Sequence, residues 1–168
     1  MEDRSKEAFG HFNEAQNALE SGDLDRAREL FERLDYETIE RVEPDDALAA
    51  RVLALHLSIV QERFRDAMYH ADAALDLAEN EPLIHHLGGL ALWAEGHHRS
   101  GAEMLVYAAE LLDGAGDAEK PFNFEVDPAQ VYYYAAEACH TFENETAAED
   151  FYQKSMQYAN EMNGMPSL

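Results

Sequence analysis

Four small residues recur along this chain, each with the same surroundings: Ala27, Ala67, Gly101 and Ala148. Four residues after each stand Phe31, Ala71, Leu105 and Tyr152, and seven after stand Leu34, Ala74, Ala108 and Ser155. Those offsets fall on one face of a helix. Twelve residues before each stand Ala15, Leu55, Gly89 and Ala136. The successive intervals are 40, 34 and 47 residues, which is a 34-residue unit with 6 residues added once and 13 added once. Antiparallel helices approach closely only where a side chain is small. The pattern therefore demands stacked helix pairs and leaves little room for a sheet.

Apolar stripes predict eight helices, over 8–19, 24–34, 48–60, 67–77, 83–94, 102–112, 131–142 and 147–162. Short polar breaks at Ser21–Gly22–Asp23, Glu62–Arg63, Gly96–His97 and Glu143–Asn144–Glu145 join them in pairs. Between pairs lie Pro44, Pro82 and Pro128, each beside an acidic or amide residue that can cap a helix. Proline costs little in a first turn, where its missing N–H has no partner to lose.

The stretches ESGDLDRARELF (20–31), LGGLALWAEGHHRSGAEML (87–105), YYYAAEAC with AAEDFYQKS in the last unit, and ALDLAENEP (74–82) resemble the tetratricopeptide repeat, whose period is 34 residues. The resemblance runs over nearly the whole chain. It implies an all-α fold, a right-handed superhelical solenoid of antiparallel helix pairs in one domain. The units are expected at about 8–41, 48–81, 82–115 and 129–162, with an insertion at 116–128. Leu55 departs from the pattern by being large, and His98 and Glu145 replace the usual aromatic or leucine after the turn.

In that family the first helix of each pair lines a concave groove that takes a segment of another protein. Carried over residue by residue, the groove positions are Phe12, Gln16 and Leu19, then Val52, His56 and Ile59, then His86, Leu90 and Trp93, then Tyr133, Glu137 and His140. None is Lys or Arg, so the family members that grip acidic chaperone tails are a poor guide. The groove is apolar and aromatic with a carboxylate rim. It suits an apolar or amphipathic partner segment with basic flanks. Core packing is the competing role for Leu19, Ile59 and Leu90.

Charge narrows the partners. The chain carries 35 acidic and 12 basic residues, a formal charge of −23. It repels nucleic-acid backbones and anionic membrane surfaces, and no segment is apolar for long enough to predict membrane insertion. The basic residues are 9 Arg and 3 Lys, a lysine-poor surface that suits a salt-rich cytoplasm or an ordinary acidic helical protein. One cysteine, Cys139, permits no intrachain disulfide, and a cytoplasmic location is expected.

The residues give little chemistry to build an enzyme or a cofactor site on. His85–His86 and His97–His98 are placed near opposite ends of one helix, about 17 Å apart, too far for one ion. Cys139 and His140 are adjacent on a helix and so do not face each other. No glycine loop for phosphate and no serine elbow is present. The expectation is a non-catalytic interaction module, an adaptor, scaffold or small chaperone with no metal and no cofactor. A narrower resemblance, in size and acidity, is to chaperones of type III secretion translocators, against which stand four units instead of three. A histidine-based metal- or ligand-responsive sensor is the alternative of another class.

Two segments remain. Phe122, Phe124 and Val126 alternate as in an extended arm, which would either fold over the groove, meet a partner, or pack along the edge of the stack. The last helix carries Phe151, Tyr152, Met156, Tyr158 and Met162, a wide apolar face suited to a partner or to a second copy in a homo-oligomer.

Overall fold

Proline and acidic caps set the helix starts. In the computed structural model, which describes residues 2–115 and 122–162, every regular element is helical. The first unit of structure, Met1–Glu79, contains α1 (Glu2–Glu20), α2 (Leu24–Glu32), α3 (Tyr36–Val42), α4 (Pro44–Val60) and α5 (Phe64–Leu75). The second, Asn80–Leu168, contains α6 (Pro82–Ala94), α7 (His98–Ala115), α8 (Pro128–Thr141) and α9 (Glu145–Met162). One domain was expected; the chain divides into two compact units, close to the expected boundary between its second and third repeats. Pro44, Pro82 and Pro128 each occupy the first helical position, as their sequence context predicts. Asp127 caps α8 by accepting from the Ala129 N–H at 3.0 Å.

The repeat is written most plainly in its turns. Gly22, Glu62, Gly96 and Glu143 all have left-handed backbones, with φ of +78°, +57°, +89° and +61°. The next residue then donates its N–H five residues back, Asp23 to Ala18, Arg63 to Ser58, His97 to Leu92 and Asn144 to Cys139, at 2.8–2.9 Å. These bonds satisfy carbonyls left open at the helix end. The carbonyl of that same residue opens the following helix by accepting from Ala27, Ala67, Gly101 or Ala148, at 2.9–3.0 Å. Each small residue that marks the sequence repeat is thus the first to be hydrogen-bonded into the second helix of its pair.

Three differences from the sequence expectations stand out. A ninth helix, α3, stands in the first interval, across the end of the expected first unit rather than in the six residues 42–47 left between units. Asp35 caps it through Oδ1 to the Thr38 N–H and Oδ2 from the Thr38 hydroxyl, at 3.1 and 2.8 Å, and Ile39 anchors it in the core. α1 begins at Glu2, six residues earlier than its apolar stripe. His97 lies in the turn after α6 and His98 opens α7, so the two histidine pairs belong to different helices.

In the first unit Ala15, Ala27, Phe31, Ile39, Ala50, Ala54 and Leu57 pack into one core. Leu55, large where its counterparts are small, is fully buried. In the second unit α6 and α7 cross at Gly89 and Gly101. A Cβ at Gly89 would lie 2.8 Å from Leu105 Cγ, and one at Gly101 would lie 2.9 Å from the Gly89 carbonyl oxygen. Only glycine lets these backbones meet. α8 and α9 close on Val131, Tyr132, Ala135, Ala148 and Phe151. Tyr132 donates its hydroxyl to Asp113 at 2.8 Å, and Lys154 ion-pairs with the same Asp113.

Candidate interaction groove

In the second unit the face shared by α6, α7 and α8 rests on buried Ala102, Leu105 and Ala138. Leu90 and Trp93 of α6 pack half-buried against that cluster. Opposite them, α8 presents Tyr133, Tyr134 and Glu137. Together these side chains line a cavity of about 330 Å³ floored by Leu105 and Ala138. Four of the groove positions expected from the sequence, Leu90, Trp93, Tyr133 and Glu137, therefore meet around one hollow.

The cavity wall is aromatic, and among the described residues that line it Glu137 carries the one carboxylate. Tyr133 is 45% exposed and Tyr134 37%. Their rings meet edge to face at 5.4 Å, and Tyr133 also lies 6.1 Å from the Tyr152 ring. The Tyr152 hydroxyl donates to Glu137 Oε1, which holds the carboxylate in place and pushes the Tyr152 pKa up to about 12. Trp93 is fixed between the rings of His98 and Phe142, at 5.2 and 6.4 Å. Rigid aromatics held in this way lose little entropy on binding, which is why they serve as anchors in interfaces.

The other expected groove residues divide by burial. Phe12, Val52 and His86 are buried and offer no surface, a correction to their assignment as contacts. Phe12 belongs to the first unit's core, the same cluster that holds Ile39 of α3. His86 lies beside the Tyr134 ring at 5.5 Å. Burial lowers its pKa to about 4, and its Nδ1 is buried with no hydrogen-bond partner. Gln16, Leu19 and Ile59 are half-buried, with Leu19 packed on the core, while His56 is exposed. His140 is exposed and its Nδ1 lies 3.0 Å from Glu145 Oε2.

Tyr134 lines the cavity although the sequence assigned the role to Tyr133 alone. Three consecutive tyrosines on a helix point about 100° apart, and the register chose one. The run Tyr132–Tyr133–Tyr134 was the available signal.

Phe122, Phe124 and Val126 are half-buried, alternating with exposed Asn123 and Glu125. They do not line the cavity. The Asn123 and Phe124 N–H groups donate to the Glu81 carboxylate, at 2.9 and 3.4 Å, and Glu81 is 2% exposed. Val126 packs on the core of α8 and α9. The first part of the expected insertion, 116–121, lies outside the described residues. In α9, Phe151 is buried against Tyr132, whereas Met156 and Met162 are 62% and 74% exposed.

Among the described residues no group of three or more His, Cys, Asp or Glu is placed to hold a metal ion, and no helix is long and apolar enough to cross a membrane. Cys139 is buried, and burial raises its thiol pKa, with Glu110 adding to the effect.

No protein-family model and no curated protein matches the chain. Solved structures do. A MamA RS-1 ArsTM double mutant superposes with a TM-score of 0.69 at 14% identity, over 93% of this chain and 77% of that one. MamA 41-end from Desulfovibrio magneticus RS-1 gives a TM-score of 0.66 at 14% identity, over 92% of this chain and 76% of that one. The chain has an all-α helical-repeat fold, and that fold fits the tetratricopeptide type. At this identity the likeness concerns the fold and nothing finer.

Proposed function

We propose that this chain is a non-catalytic protein-interaction module, an adaptor, scaffold or small chaperone. It holds an apolar or amphipathic segment of a partner protein, flanked by basic residues, on the face of α6 and α8. The observation that carries this reading is the hollow of Leu90, Trp93, Tyr133 and Tyr134 with Glu137 at its edge, on a chain of charge −23. The aromatic wall would bury partner side chains, and the acidic surroundings would steer and orient the basic flanks.

Tyr133→Glu and Leu90→Glu place a charge in the hollow at positions that are not fully buried, so the fold should survive. Wild type and both variants would be used as bait in lysate of the source organism, with unchanged circular dichroism as the control for folding. A partner held by wild type and lost by both variants supports this face as the working surface. A partner held equally by all three rejects it.

A further inference from the structure

Any segment seated on the hollow of α6 and α8 has to cover Glu137. That side chain is exposed, and the Tyr152 hydroxyl holds its Oε1. No Lys or Arg stands among the described residues that line the hollow, so the carboxylate meets no cation there. Covering it with an apolar side chain would strip it of water and return nothing, which is costly for a charged group. The occupant of that place must therefore bring a positive charge. The walls suit one. Tyr133 and Tyr134 stand at 81° to each other with ring centres 5.4 Å apart, and Trp93 lines the side across from them. Aromatic faces attract a cation, that of tryptophan most strongly.

Lysine fits better than arginine. A guanidinium fork uses both carboxylate oxygens in one plane, and the Tyr152 hydroxyl already fixes one of them. An ammonium is compact, needs one acceptor, which Oε2 offers, and can touch two rings set at right angles. Leu90 gives the methylene stem an apolar wall while the charged head stays at the edge. From this we infer that the hollow is a lysine pocket: a lysine of the partner segment inserts between Trp93 and the Tyr133–Tyr134 pair, its stem against Leu90 and its ammonium on Glu137. The inference rests on the interaction role proposed above and names the partner residue that decides recognition.

The chain has a single tryptophan, Trp93, and it lines the hollow, so its fluorescence and its indole N–H resonance report occupancy there. The probes are a capped pentapeptide, Ala-Leu-Lys-Leu-Ala, and its counterpart with norleucine in place of lysine, which keeps the stem and drops the charge. Each is titrated into the full-length chain at about 0.15 M salt, where distant charges are screened. A purely apolar hollow would prefer norleucine. The lysine peptide should instead bind at least about fivefold more tightly. Glu137→Gln, which leaves Tyr152 an acceptor, should remove that preference. Tyr133→Leu should weaken the lysine peptide more than the norleucine one. Glu40→Gln removes the same charge from an exposed site in the first unit and should change neither. Equal binding of the two peptides, binding of neither, a preference that survives Glu137→Gln, or an equal loss in Glu40→Gln would overturn the lysine pocket. Circular dichroism checks the variants, and the two peptides on wild type decide alone if one fails to fold. A partner captured through this face together with a norleucine preference would leave the groove standing and the lysine pocket rejected. Lysine selectivity with no partner captured would do the reverse.

Discussion

Glu62 and Glu143 adopt backbone angles that Gly22 and Gly96 adopt in the equivalent turns. A residue with a Cβ is strained there by about 1–2 kcal/mol, and a glycine gives back part of that advantage through the freedom of the unfolded chain. Glu62→Gly should therefore raise stability by up to about 1 kcal/mol, and Gly96→Ala should lower it by about 1 kcal/mol. Urea unfolding of the two variants would show opposite shifts of midpoint. Only half of this turn chemistry was legible: Gly22 and Gly96 announce themselves, whereas glutamate carries no left-handed signal. Their common place five residues before a small residue gives them away once the interval is known. His86 supplies a second test. Its pKa falls from 6.5 to about 4 on folding. Between those values the unfolded chain holds a proton that the native chain does not. Stability is therefore full above about pH 6.5 and declines as pH falls toward about 4, by up to about 3 kcal/mol from this residue. His70 adds a loss of the same sign. His86→Phe keeps the volume, removes the unpaired Nδ1, and should make the decline between pH 7 and pH 4.5 shallower. Parallel declines in variant and wild type would count against the burial account.

The helix elements were legible wherever an apolar stripe had room to repeat. Eight stripes became eight helices, and the three prolines sit where their neighbours placed them. α3 was missed for a physical reason. Seven residues make barely two turns, and its single deep anchor, Ile39, cannot show a period. The crossing of α6 and α7 was legible from Gly89 and Gly101, and it can be tested against an internal control. In an open helix Gly→Ala stabilises by about 1 kcal/mol. Gly10, in α1, has nothing within 4 Å of an added Cβ and should show that gain. At Gly89 the added methyl meets Leu105 and the Gly101 carbonyl, contacts that must shift a packed helix. Overpacking of this kind costs about 1–3 kcal/mol, so Gly89→Ala should destabilise despite its better propensity. Thermal melts of the two variants should move in opposite directions.

For the molecule as a whole, charge sets the response to salt. Thirty-five acids on 168 residues repel one another at low ionic strength, and pairs that offset them, such as Arg41 with Glu37, lie exposed. Exposed pairs contribute about 0–1 kcal/mol each, and salt screens repulsion and attraction alike. Repulsion is the larger sum here. The melting temperature should rise between dilute buffer and molar potassium chloride, and a fall would show that the surface pairs dominate. Length is distributed as unevenly as charge. Twelve residues separate the facing positions within every pair, from Ala15 to Ala27, Leu55 to Ala67, Gly89 to Gly101 and Ala136 to Ala148, and the same two hydrogen bonds close every turn. All of the extra chain lies between pairs. Losing or gaining one codon inside a pair would rotate the following side chains by about 100° and turn a buried face outward. The same change in a connector shifts no paired face, except within α3, whose Ile39 anchors the first core. Length polymorphism in natural variants of this gene should therefore collect at the connectors, and those are the places where an epitope or fluorophore tag can be spliced in without loss of the fold.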